Sequence, residues 1–185
     1  SPTMTAVAGP FLIVCTILGL GGVAKIVAPI SARRAIRAAG IPVPVVAVRS
    51  LGVAEVALAC AAALKGGRIL PSAVGVAYVA FALFVVLMLR RSEGTSCGCF
   101  GNADTPASWL HVVVNVASAG IAFGAIGIGT LGDVLSAQPW AGIPLLGLVA
   151  LGTYLVFLML TALPVVLAPP QARVAEFSLA GAPTS

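Results

Sequence analysis

Charge is scarce in this sequence. Only 8% of its 185 residues are Asp, Glu, Lys or Arg, against about 25% in an ordinary soluble domain. Aromatic residues make up 6%, and there is a single histidine. So few charges exclude a water-soluble globular domain. They also exclude intrinsic disorder, which requires low hydrophobicity and high net charge. The 21 glycines and 13 prolines follow no G-X-Y period, so a collagen-like chain is excluded as well. Apolar residues dominate instead, at 60% of the chain with a mean hydropathy of +1.14. This composition describes an integral membrane protein whose principal partner is the lipid bilayer.

A membrane-crossing helix needs about 20 mainly apolar residues, and five runs of that kind are visible. They cover about 5–28, 45–64, 71–89, 108–129 and 142–168, with a polar tail over 169–185, and form a single membrane domain over 1–185. Pro29 ends the first run. Pro44 and Pro71 suit helix starts, where a missing N–H costs nothing, and Ser108 is a candidate N-cap for the fourth. The first eleven residues lack the basic segment of a signal peptide, so the first run is expected to stay in the protein. Gly19, Gly21, Gly22, Gly52, Gly120 and Gly124 lie inside runs, where small residues let helices approach closely in lipid. The expected fold is an all-α bundle.

The formal net charge is +5, but the basic residues sit in short connections between apolar runs. That distribution reads as membrane topology, not nucleic-acid binding. Arg33, Arg34, Arg37, Arg90, Arg91 and Arg173 fall on one side of a five-span chain, and Lys65 and Arg68 on the other. The positive-inside rule then places the first side, with the segment after the third run, in the cytoplasm. Cytosolic thiols are normally reduced, and that bears on the two cysteines of this segment.

Six polar residues gather at one end of the bundle. Lys25 lies roughly 5 Å from the end of the first span and Arg49 roughly 7 Å inside the second, at about 1.5 Å per residue. His111 and Asn115 stand at i and i+4 at the start of the fourth span. Cys97 and Cys99 lie in the segment leading into it. Glu55, near mid-membrane, is a functional-site candidate simply as an intramembrane carboxylate. Each residue has a plainer reading too. Lys25 and Arg49 fit snorkelling to the headgroups, Glu55 fits a structural ion pair with one of them on another helix, and His111 fits an interfacial or satisfied bundle histidine. Cys15 and Cys60 lie inside apolar runs and read as small packing residues.

Cys97-Gly98-Cys99 holds two thiols within reach of each other, with a glycine that frees the backbone between them. A bridge across so short a turn is strained and easily reduced, as suits a catalytic or regulatory disulfide. Nearby Lys25, Arg49 and His111 would favour the reactive thiolate. Two other readings stay open. Paired thiolates suit Cu(I) or Zn(II), though a closed zinc site needs four ligands and this segment with His111 supplies three. The turn could also be purely structural.

The string Cys97-Gly98-Cys99-Phe100-Gly101 resembles the C-x-C-F-G signature of the methylamine utilisation protein MauE family, part of a DoxX-like group of small four-helix membrane proteins. Ala24-Lys25-Ile26 and Glu55 also match, so the resemblance extends over about residues 8–130. It implies a four-helix core, to which this chain adds a fifth, C-terminal span. It also implies a role in disulfide formation, processing or transport of a partner protein in a bacterial cell membrane. On that basis the chain is expected to be a thiol–disulfide oxidoreductase, with Cys97 and Cys99 as its catalytic pair. Lys25, Arg49, Glu55, His111 and Asn115 would support them by charge and polarity. By analogy with other four-helix membrane thiol oxidoreductases, a quinone would accept the electrons, although no quinone motif is visible. The alternative is a non-catalytic assembly subunit in which the CGC turn is only a structural knuckle.

Overall fold

The computed structural model describes residues 2–91, 108–127 and 139–162. Among these the chain is helical, with α1 over Pro2–Val27, α2 over Pro29–Ala38, α3 over Val45–Lys65, α4 over Ile69–Arg91, α5 over Trp109–Gly124 and α6 over Pro139–Thr161. Four of them, α1, α3, α4 and α6, are long and apolar enough to cross a membrane. Large side chains such as Val46, Leu64, Ile69 and Leu83 point outward from the bundle. A soluble monomer rarely shows so much contiguous apolar surface, whereas lipid tails solvate it. The protein is an integral membrane helical bundle.

The basic stretch after the first span is itself a helix and not a bare connection. Ala28 adopts a non-helical backbone (φ −122°, ψ 64°), as expected of a residue before proline. Pro29 therefore ends α1 and, at the first position of α2, starts the next helix. Gly40, at φ 84°, ends α2, and the Ile41 N–H to Ile36 O bond (3.2 Å) and Gly40 N–H to Arg37 O bond (2.8 Å) close a Schellman turn. α2 buries Pro29, Ala32 and Ala35 and leaves its arginines off that face. Ala35 and Ala39 pack on Met88, with Phe84 and Leu87 around them. An alanine face of this kind lets a short helix lie flat on the end of a bundle.

α1 is the most buried of the four long apolar helices and α6 the least. The main core joins Phe11, Val14, Cys15 and Leu18 of α1 to Ala59 and Ala62 of α3, Val74 and Tyr78 of α4, and Ala119 and Ala122 of α5. The tightest approach is between α1 and α3. A methyl group on Gly22 would lie 2.6 Å from the Gly52 carbonyl oxygen, and one on Gly52 would lie 2.6 Å from that of Gly22. Gly22 also faces Glu55 and Val56, while Gly52 faces Lys25 and Ile26. Rising numbers on one helix meet falling numbers on the other, so the pair is antiparallel. Gly75 accommodates Phe123 in the same way, docking α5 on α4.

α5 is shorter than the fourth apolar run. At about 1.5 Å per residue its 16 residues rise roughly 24 Å, short of a hydrocarbon core of about 30 Å. Glycine weakens a helix by up to about 1 kcal/mol per residue, and this run meets Gly120, Gly124 and Gly127 in quick succession. Gly127, at φ 79°, leaves helical geometry and donates its N–H to Gly67 O at 3.1 Å. That bond ties the end of α5 to the α3–α4 turn. The last apolar helix, α6, starts at Pro139 and is described as far as Thr161.

Candidate functional site

Lys25 was a candidate for snorkelling outward, and the structure turns it inward. Its Nζ lies 2.8 Å from Glu55 Oε2, and the two side chains are 11% and 5% exposed. Helical side chains lean toward their own N-terminus. In an antiparallel pair this sends Lys25 and Glu55 toward each other across the glycine crossing. The ammonium also donates to Gly21 O at 3.4 Å and sits 5.3 Å from the Phe81 ring centroid. The other carboxylate oxygen, Glu55 Oε1, is buried with no hydrogen-bond partner among the described residues.

Arg49 does not join this pair. It is exposed, while Val48, Gly52, Glu55, Ala59 and Ala62 form the buried stripe of α3. A step of one residue turns about 100° around a helix, which carries Arg49 off the stripe that begins at Val48. Of the two partners proposed for Glu55, the fold selects the lysine.

His111 is 3% exposed, and its Nδ1 lies 2.9 Å from Ser108 Oγ. Ser108 does occupy the N-cap of α5, with extended backbone. Its hydroxyl contacts the imidazole instead of the free backbone N–H groups. Asn115, one turn on, donates from Nδ2 to His111 O at 2.6 Å. Among the described residues there is no cluster of three or more His, Cys, Asp and Glu side chains that could hold a metal ion.

Lys25, Glu55, His111 and Asn115 line one cavity of about 300 Å³. Its remaining walls are almost wholly apolar. α2 contributes Ala32, Ala35 and Ile36, and α4 contributes Tyr78, Phe81 and Phe84. Tyr78 donates to Val14 O at 2.7 Å and meets Phe81 edge to face, with centroids 5.9 Å apart. These aromatics and α2 do not stand out from the sequence by polarity. The signal was present as an i, i+3, i+6 aromatic row in the third apolar run and an alanine face among the arginines.

Cys97 and Cys99 lie outside the described residues, in the segment between α4 and α5. Cys15 is buried in the core as a packing residue, whereas Cys60 is exposed on the outer face of α3.

The family model described as methylamine utilisation protein MauE matches residues 3–131, and the chain belongs to that family. That stretch contains α1, apart from Pro2, through α5 and the whole cavity except Leu160 of α6. No curated protein and no solved structure matches the chain.

Proposed function

We propose that this MauE-family membrane protein is a thiol–disulfide relay that helps a partner protein mature, with the CGC motif as its reactive pair. The family's description points to a partner engaged in methylamine utilisation. One observation carries the reading. The segment holding Cys97-Gly98-Cys99 leads directly into Ser108 and His111, and His111 shares a cavity wall with the buried Lys25–Glu55 pair. Polar and ionic groups inside a membrane are costly and generally mark function.

In this reading a partner thiolate attacks the Cys97–Cys99 disulfide and forms a mixed disulfide, releasing the other cysteine as a thiol. The partner's second thiol then displaces the attacking bond, leaving the partner oxidised and Cys97 and Cys99 reduced. Return of Cys97 and Cys99 to the disulfide needs a two-electron acceptor, and a lipid-soluble quinone would supply that oxidising capacity. Lys25 and Glu55 supply a fixed dipole in the cavity that His111 also lines, and His111 and Asn115 hold the start of α5.

The test is to replace Cys97 and Cys99 singly by serine and follow both the redox state of the partner and its adducts on non-reducing gels. A relay loses partner oxidation in both variants, and neither forms the mixed disulfide that the unaltered protein makes with its partner. Full partner maturation with either serine would instead identify an assembly subunit with a structural turn.

A further inference from the structure

The apolar cavity at the Lys25 end of the bundle has the character of a binding site, because its composition does not match its polar contents. Its volume of about 300 Å³ is at the lower end of the range for small-molecule pockets. Phe81 and Phe84 provide aromatic walls. Into this lining the fold places Glu55, one of whose oxygens is paired with Lys25 while the other, Oε1, is buried without a partner. A buried acceptor left unmet costs about 1–3 kcal/mol, so the site favours an occupant that supplies a donor.

We propose that this cavity binds a neutral lipophilic molecule bearing a hydroxyl group, which donates to Glu55 Oε1 while its apolar body rests against Phe81 and Phe84. Charge sets the class of ligand. The Lys25 ammonium already neutralises the carboxylate at 2.8 Å, so a cationic ligand would leave a net positive charge in an apolar enclosure, which is strongly disfavoured. A hydrocarbon would fill the walls and leave Oε1 unmet. A water could meet Oε1 but would leave the apolar walls, Phe81 and Phe84 among them, without a contact. A hydroxyl meets the acceptor without adding charge. This occupancy does not depend on the chemistry of Cys97 and Cys99.

The test uses the full chain in detergent and radiolabelled 1-naphthol, with naphthalene and 1-naphthylmethylammonium as matched ring systems and empty micelles subtracted. 1-Naphthol is expected to bind saturably, about tenfold or more tighter than naphthalene and tighter than the cation. The double variant Lys25→Met/Glu55→Leu, neutral throughout, should lose the preference for 1-naphthol over naphthalene. Val114→Trp, which fills the cavity from α5 without altering the ion pair, should abolish saturable binding. Equal binding of 1-naphthol and naphthalene by the unaltered protein would overturn the proposal, as would tightest binding of the cation. No saturable binding of any of the three would also overturn it.

Discussion

Lys25 and Glu55 each stand three residues beyond the glycine at which their helices cross, Gly22 on α1 and Gly52 on α3, and their side chains meet at 2.8 Å. The crossing and the ion pair form one unit. Backbone contact at the two glycines brings the helices close enough for the charges to pair, and the antiparallel direction points each side chain at the other. A buried pair is weak evidence for stability as such, but breaking one by removing a single partner costs about 3–5 kcal/mol.

The two partners should therefore respond unequally to substitution. Lys25→Met leaves Glu55 with no cation in the apolar interior and should cost about 3–5 kcal/mol or prevent assembly. Glu55→Gln should be milder, since Lys25 is near the end of α1 and its long stem can carry the ammonium to the interface. The double variant Lys25→Met/Glu55→Gln should recover much of the loss. Denaturant unfolding in mixed micelles would measure all three, and equal loss in both single variants would contradict the unequal depth of the two groups.

Glycine substitutions separate close packing from helix propensity. Gly22→Ala and Gly52→Ala each place a methyl 2.6 Å from a backbone carbonyl oxygen, and overpacking of this kind typically costs about 1–3 kcal/mol. Gly120→Ala meets nothing within 4 Å and should be neutral or stabilise α5 by up to about 1 kcal/mol. Thermal unfolding of the three variants should place Gly120→Ala level with or above the unaltered protein and the other two below it. Gly22→Ala as stable as the parent would show that α1 and α3 do not touch there.

Tyr78→Phe removes only the hydroxyl that donates to Val14 O at 2.7 Å. The ring stays against Phe81, so the loss should be about 0.5–1.5 kcal/mol with no change in fold. A much larger destabilisation, measured in the same micelles, would mean that the hydroxyl positions α4 on α1 as well as bonding to it.

Cysteine labelling checks both packing and orientation. Cys60 on the outer face of α3 should react with a lipid-soluble maleimide, and Cys15 in the core should not react until the protein is unfolded. With a membrane-impermeant maleimide on intact cells, a variant retaining only Cys97 should stay unlabelled until the membrane is opened, if orientation follows the positive-inside rule. Labelling from outside would reverse that orientation and place the pair on the oxidising side.

The sequence by itself determined the class of molecule and the inventory of its site. Apolar runs of about 20 residues are long-range averages, robust to detail, so a helical membrane bundle could be read directly. Lys25, Glu55, His111 and Asn115 were legible because a polar group in an apolar run is conspicuous. The fold alone decided which of them meet. Arg49 and Lys25 were equivalent partners for Glu55 in one dimension, and only the helix phase set by the Gly52 contact turned Arg49 outward. The short amphipathic α2 was hidden because ten residues with three arginines resemble a basic connection until a bundle end is present to bury their alanines. The sequence carried the cavity's wall residues but not the cavity itself, which is the space left where six helices fail to fill their common end, and that depends on interhelical distances fixed by Gly22, Gly52 and Gly75.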